Sequence, residues 1–328
     1  MNNTQVFKKY TSVHPGSELL QKWYHMTPED NVGCAICDTK DYKIWYELGL
    51  SKAVVCVKCG LKYITPRLSR RQLRQSYSEM FYKDEVFTKD FEGRKHDFYD
   101  PVDRKNKIKD RHYEIELTNC LTQNGTILDI GCGTGLYFEG LKGNFKLFGI
   151  ELSQRAAEYT KKEFGACVNM CEIEEVDYKK DFFDVINMTY VIEHVSNPKE
   201  IINKIYRWLK PGGMLLVSSP NWGSIASRFY GEFFRLNLPH QHILLWEEKT
   251  LKMFLNEAGF EVNNIYFPYF KTEYFNLYEL KRLFRNSFYR ILLPFFLKTG
   301  YYPPLEKVLS PPFWGNIMVF ECYKRCRT

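Results

Sequence analysis

The chain lacks the long apolar stretches that mark membrane-spanning proteins. Its longest fully apolar run in the C-terminal part is Ile291-Leu-Leu-Pro-Phe-Phe-Leu297, far below the roughly 20 residues a spanning helix needs. Met1 to His25 is polar and has no apolar core of the kind a signal peptide carries. The expectation is a cytoplasmic protein whose ten cysteines stay reduced. A large excess of one charge sign is also lacking. A net charge of +7 over 328 residues permits an anionic substrate or surface but does not call for nucleic acid. Internal repeats and low-complexity tracts are absent, which excludes a repeat architecture. With 45% hydrophobic and 16% aromatic residues, the chain can build one large core or two moderate ones.

What is present is concentrated in Thr126-Ile-Leu-Asp-Ile-Gly-Cys-Gly-Thr-Gly135. Ile127, Leu128 and Ile130 read as a buried parallel strand, with Asp129 at its carboxyl end. Gly131, Gly133 and Gly135 then open a turn into a helix beginning near Leu136, where backbone can approach a ligand closely. Leu136 stands where the dinucleotide fingerprint places its third glycine. Asp129 would repel a pyrophosphate but suit a cation. A second apolar run, Phe145–Ile150, ends in Glu151, an acid placed to accept two ribose hydroxyls. A ligand with a ribose, a positive charge and no phosphate satisfies these features, and S-adenosylmethionine is such a ligand.

Here the chain resembles the class I S-adenosylmethionine-dependent methyltransferases. Glu172-Ile-Glu-Glu-Val-Asp-Tyr178 and Phe182-Phe-Asp-Val-Ile-Asn-Met188 are similar to the family's third and fourth strand region. Glu193-His-Val-Ser-Asn-Pro198 and Leu209-Lys-Pro-Gly-Gly-Met-Leu-Leu-Val217 resemble its passage into the fifth strand. His242 to Phe260 resembles the helix leading to the sixth, with an end strand at about 316–323. The resemblance implies an α/β fold with a Rossmann-like seven-stranded sheet. It also implies a cofactor site of Asp129, Gly131, Gly133, Gly135, Glu151 and Leu152. Glu172 and Ile173 would flank the adenine, and Asn187 and Met188 would face the methionine portion.

Cys34-Ala-Ile-Cys37 and Cys56-Val-Lys-Cys59 are separated by eighteen residues, the spacing of a four-cysteine zinc ribbon. Each pair forms a knuckle that aims two thiolates at one ion, and Gly60 suits the turn closing the second. A saturated four-thiolate site leaves no open position, so the expected Zn²⁺ is structural. The predicted organisation is a ribbon module at 1–66, a helical linker or cap at 67–112, and a methyltransferase domain at 113–328. That order, with the Pro66-Arg-Leu-Ser69 turn, resembles bacterial methyltransferases associated with surface-polysaccharide or sugar-nucleotide biosynthesis.

The cap segment interleaves thirteen Lys or Arg and nine Asp or Glu with aromatics such as Tyr77, Phe81, Tyr82 and Tyr99. It reads either as a lid over an anionic substrate or as a connector packed on the core. An insertion at 271–312 places Leu277, Leu280, Phe284, Phe288 and Ile291 at helical spacing beside Lys281, Arg282, Arg285 and Arg290. That pattern suits burial against the protein, a dimer contact, or peripheral contact of the 277–297 helix with the inner face of a membrane. Oligomeric state is not legible.

Methyl transfer from a sulfonium asks mainly for alignment and, at an alcohol, for removal of a proton. Candidate bases are His194, His240 and His242, with Tyr190 as a pocket residue. In related quinone O-methyltransferases an acid three residues before the Glu-His pair completes a metal site, and here Tyr190 occupies that position. The leading expectation is O-methylation of a sugar, sugar nucleotide or surface-glycan precursor. An RNA methyltransferase docking through the ribbon, and a non-catalytic scaffold, are the alternatives. Against RNA stand the near-neutral ribbon loop and the absence of an Asn/Asp-Pro-Pro-aromatic tetrad, replaced by Asn187-Met-Thr-Tyr190.

Overall fold

The computed structural model describes residues 27–28, 31–48, 50–73, 97–234, 236–239, 241–268 and 314–325. Residues 74–96 of the cap, the 271–312 insertion with its basic helix, and His240 lie outside the described residues. Strands β1 (Tyr42–Leu48), β2 (Ser51–Cys56) and β3 (Lys62–Thr65) precede helices α1 (Pro101–Lys107) and α2 (His112–Leu121). Then come β4 (Asn124–Ile130), α3 (Leu136–Glu139), β5 (Asn144–Ile150), α4 (Gln154–Phe164), β6 (Cys167–Asn169) and β7 (Phe183–Thr189). The chain continues through α5 (Pro198–Trp208), β8 (Leu209–Pro220), α6 (Ile225–Tyr230) and β9 (Leu244–Leu245). It closes with α7 (Glu248–Glu257), β10 (Phe260–Tyr266) and β11 (Ile317–Lys324).

Seven of these strands form one sheet in the order β10-β11-β8-β7-β4-β5-β6. The five from β6 to β8 are parallel to their neighbours, while β11 runs antiparallel between β8 and β10. Successive side chains of β4 enter opposite cores. Ile127 packs with Val185, Met214, Tyr137 and Ala157 on one face, whereas Leu128 and Ile130 pack with Ile186, Leu215 and Val217 on the other. Burial on both faces explains why the strand reads as an apolar run rather than an alternation. The third parallel strand is Cys167–Asn169, ahead of the stretch expected for it; Ile173–Glu175 is a 3₁₀ turn. Three residues suffice for an edge strand, and too short a run leaves no period to read.

Helix α5 shows how sequence sets a packed face. Asn197 caps it by accepting from the Glu200 amide, and Pro198 pre-sets the first turn. Ile201, Ile202, Ile205 and Trp208 recur at helical spacing and are buried. Among the described residues, no helix is long and apolar enough to cross a membrane.

The second sheet has the order β1-β2-β3-β9. Its first three strands belong to the cysteine-bearing segment, but its fourth comes from residues 244–245, pairing Tyr63 with Leu244 and Lys62 with Leu245. Leu61 and Tyr63 share a core with Ile243 and Trp246, and Ala53 and Ile64 share one with Trp222, Phe234 and Leu245. Lys62 is half-buried between the two parts, donating to Glu247 at 2.5 Å with its ammonium 3.7 Å from the Trp45 ring centroid. Burial pulls its pKa down while Glu247 opposes that shift.

Candidate cofactor and acceptor site

The two knuckles have matching geometry. Asp38 donates its amide to the Cys34 carbonyl at 2.8 Å, and Gly60 donates to Cys56 at 3.0 Å. Both residues take left-handed backbone, at φ 59° and 77°, a conformation glycine adopts freely and aspartate tolerates. The four thiols come together, with Sγ–Sγ separations of 3.3 Å for Cys34–Cys59, 3.4 Å for Cys37–Cys56 and 3.8 Å for Cys37–Cys59.

At the carboxyl edge of the large sheet, β4, β5 and β7 deliver their acids and amide to one crevice. Asp129 is buried, and its carboxylate accepts from Asn187 Nδ2 at 2.7 Å across the β4–β7 pairing. Burial raises the Asp129 pKa to about 7, with Asn187 and Arg111 opposing and Glu151 and Glu114 reinforcing the shift. Glu151 accepts from the amides of Gly133 and Ser153, each at 2.8 Å. Its pKa is raised by burial against the pull of those amides. The loop between has three left-handed glycines. A Cβ on Gly135 would lie 2.5 Å from the Phe164 ring, and one on Gly131 2.7 Å from Val191. At Gly133 nothing lies within 4 Å, so the loop presents a bare backbone to the crevice.

Residues that sequence reasoning missed hold this loop and floor. Arg104 is 3% exposed. It donates to the Thr134 carbonyl at 3.0 Å, to Thr134 Oγ1 at 2.9 Å and to Glu139 at 2.9 Å. A chain of contacts also runs inward from Asp129. Asn187 Oδ1 lies 2.9 Å from the Thr189 hydroxyl, which lies 3.2 Å from Glu114 Oε1. The Thr189 hydroxyl thus faces two acceptors, Asn187 Oδ1 and Glu114 Oε1. Burial raises the Glu114 pKa, with Arg111 opposing. Arg111 is 4.6 Å from the Tyr190 ring centroid and acts electrostatically on Asp129, Glu114 and Glu193.

The remaining expected residues fall in two places. Leu152 is exposed beside Glu151, and Ile173 is buried in the core. Glu172 accepts from Arg70 Nε at 2.6 Å. Met188 packs in the core with Ile130 and Ile150, pointing away from the face on which Asn187 meets Asp129. Tyr190 has a left-handed φ of 57° at the end of β7, a conformation rare for a bulky residue. His194 and His242 meet with ring centroids 4.9 Å apart. Their Nδ1 atoms donate to the carbonyls of Gln241 at 3.0 Å and Leu236 at 2.7 Å. Burial pushes His194 down to about 4 and His242 down to about 3, and raises Glu193 to about 8.

Residues 102–265, half of the chain, match a family model described as a methyltransferase domain. The chain is 28% identical over 153 residues to a ubiquinone biosynthesis O-methyltransferase of Pseudomonas paraeruginosa, covering 43% of this chain and 66% of that protein. It is 27% identical over 219 residues to a carboxy-S-adenosyl-L-methionine synthase of Campylobacter jejuni, covering 63% of this chain and 80% of that protein. Among solved structures, a [4+2]-cyclase covers 80% of this chain and 98% of its own at 17% identity, with a TM-score of 0.49. From the ordered seven-stranded sheet and the family match together, the chain belongs to the S-adenosylmethionine-dependent methyltransferases.

Proposed function

We propose that this chain methylates a hydroxyl of a sugar, sugar nucleotide or surface-glycan precursor. The observation that carries the cofactor assignment is the bare backbone at Gly133, flanked by two buried acids from adjacent strand ends. The crevice fits S-adenosylmethionine. Asp129 would receive the amine of the methionine portion, and Glu151 the ribose hydroxyls. Glu172 and Ile173 would lie toward the adenine, with the Gly131–Gly135 loop beneath the adenosine. Bound there, the cofactor supplies a methyl group on a good leaving group. The protein's part is then to align an acceptor and exclude water. Tyr190 and His194 follow β7, and His242, from the segment ahead of β9, meets His194 there on the acceptor side of the crevice. Their depressed basicity makes the two described imidazoles neutral hydrogen-bonding groups at pH 7 and weak proton acceptors.

The cysteine cluster fits one structural Zn²⁺. Bonds of about 2.3 Å at tetrahedral angles put sulfurs about 3.8 Å apart, close to the separations among Cys34, Cys37, Cys56 and Cys59. The glycan assignment rests on the order of ribbon and methyltransferase core.

Calorimetry with S-adenosylhomocysteine and NAD⁺, followed by labelled methyl transfer to a panel of nucleotide sugars, tests the reading. Binding of the former alone and label on a sugar hydroxyl are the expected results. Binding without transfer to any sugar would overturn the acceptor assignment, and binding of neither would overturn the cofactor site.

A further inference from the structure

Three acids mark three adjacent strand ends along the cofactor crevice. Asp129 lies at the end of β4 and Glu151 follows β5. Glu172 follows β6, whose last residue, Asn169, accepts from the Glu151 amide at 3.0 Å. Because β6 pairs with β5 on the side away from β4, Glu172 stands beyond Glu151 as seen from Asp129. A ligand with its amine at Asp129 and its ribose at Glu151 extends its base in that direction.

The Glu172 carboxylate is held by a residue from far upstream. Three of the four residues from 172 to 175 are acidic. Lys204 of α5 secures the back of this turn, donating to the carbonyls of Glu174 at 2.5 Å and Val176 at 3.3 Å. Facing the carboxylates is Arg70, 102 residues before Glu172. Its Nε donates to Glu172 Oε2 at 2.6 Å, its Nη2 pairs with the same oxygen, and Nη2 lies 3.6 Å from Glu174. Arg70 is itself fixed in place. The Ser69 amide donates to Gln72 Oε1 at 2.9 Å and the Gln72 amide to Ser69 Oγ at 3.4 Å, a reciprocal cap around it. Leu68 and Leu73, on either side, are buried in the core.

We propose that Arg70 is a positioning residue for the base of the cofactor: it fixes the Glu172 carboxylate in the orientation that accepts the exocyclic amine of adenine. The inference rests on the cofactor reading above. A carboxylate offers about four acceptor positions, so an ion pair on Oε2 leaves it able to accept again. Exposure separates this role from a merely stabilising one. The Arg70 side chain is 52% exposed, and an ion pair so open to water adds little to folding. Glu172, at 11%, is largely shielded, so what the pair sets is the direction of its carboxylate. The segment carrying Arg70 continues from β3 of the cysteine-bearing sheet, so recognition of the base at the large sheet depends on how the other sheet is docked.

The test is calorimetry on the full chain with two compounds, S-adenosylhomocysteine and S-inosylhomocysteine, whose base presents a carbonyl oxygen where adenine presents an amine. A carboxylate accepts from the amine and repels the oxygen. The wild type should prefer the adenine compound by at least about tenfold, the scale of one hydrogen bond to a charged group. Arg70→Ala should lower that preference at least about threefold, by losing S-adenosylhomocysteine affinity while S-inosylhomocysteine binding changes less. Arg70→Lys keeps the charge without the planar donors and should fall between the two. A role confined to stability would weaken both compounds alike; an unchanged preference in Arg70→Ala therefore overturns the proposal, as does a wild type that binds both equally. Should Arg70→Ala fail to fold or bind neither compound, the same ratio in Arg70→Lys decides: reduced, it supports the role, and preserved, it overturns it. Binding of neither compound by the wild type would overturn the cofactor reading, and this inference with it.

Discussion

The cofactor edge of the large sheet and the four-stranded sheet beside it are assembled in opposite ways. The first is local: Asp129, the glycine loop and Glu151 arise within 23 consecutive residues, on two neighbouring strands. The second is remote: β3 finds its fourth strand at Leu244–Leu245, and Leu61 and Tyr63 share a core with Trp246. A local site keeps its geometry as long as its strands pair. A remote one stands or falls with the whole fold, because the apolar surface it buries belongs to both parts. The cysteine segment is thus part of the wall on which the post-β7 loop rests, rather than a bead on a tether.

The largest test of this contrast is Cys34→Ser. It should release the proposed zinc and lower stability by at least a few kcal/mol, in one cooperative transition seen identically by far-UV and near-UV circular dichroism. Two separated transitions would break the comparison. Arg104→Ala removes the buried guanidinium that bridges α1, Thr134 and Glu139. A loss of about 3 kcal/mol is expected in denaturant unfolding, the scale for breaking a buried ion pair, with weaker cofactor binding because the glycine loop loses its anchor. Glu151→Ala should weaken S-adenosylhomocysteine binding by about 1–3 kcal/mol, as for lost hydrogen bonds to a charged group; unchanged affinity in calorimetry would remove the ribose assignment.

Asp129 yields a pH signature. Its folded pKa of about 7 lies above the ordinary 3.8. Between those values the folded apo chain holds a proton that the unfolded chain has released, so this group's contribution to stability falls as pH rises from about 4 to 7. A cationic amine at the site favours the ionised carboxylate. Affinity for S-adenosylhomocysteine should therefore rise toward pH 7 by about 1.4 kcal/mol per unit, then level off. Asp129→Asn should flatten the profile; a wild-type profile already flat would remove Asp129 from the amine. The smallest effect belongs to Lys199→Ala, which deletes the exposed 2.6 Å pair with Asp38 between α5 and the first knuckle. A change under about 1 kcal/mol in thermal unfolding is expected. A larger one would mean that this surface contact, and not the shared core, ties the two sheets together.

Much of the cofactor edge was readable from residues 126–151, because strand, turn and strand-end acid carry their own periodicity and turn chemistry. Asp129, Glu151 and Asn187 occupy strand-end positions that the apolar runs indicate. Met188 shows the limit: adjacent in sequence to Asn187, it points into the opposite core, since consecutive strand residues face opposite ways. Glu114 and Arg111 were illegible for a different reason. Nothing local distinguishes them from the solvated charges around them; only the tertiary fold buries Glu114 against Thr189 and sets Arg111 where its charge acts on Asp129.

The sequence alone indicated most strands and helices of the large sheet, the glycine loop with its two acids, and the pairing of the cysteine knuckles. Each depends on contacts between residues near one another along the chain. Only the tertiary structure decided that β9 completes the cysteine segment's sheet, that Arg104 holds the loop, and that His242 meets Glu193 and His194. Those contacts join residues far apart in the chain, and what selects them is the burial of shared apolar surface, which leaves no periodic mark on either partner's sequence.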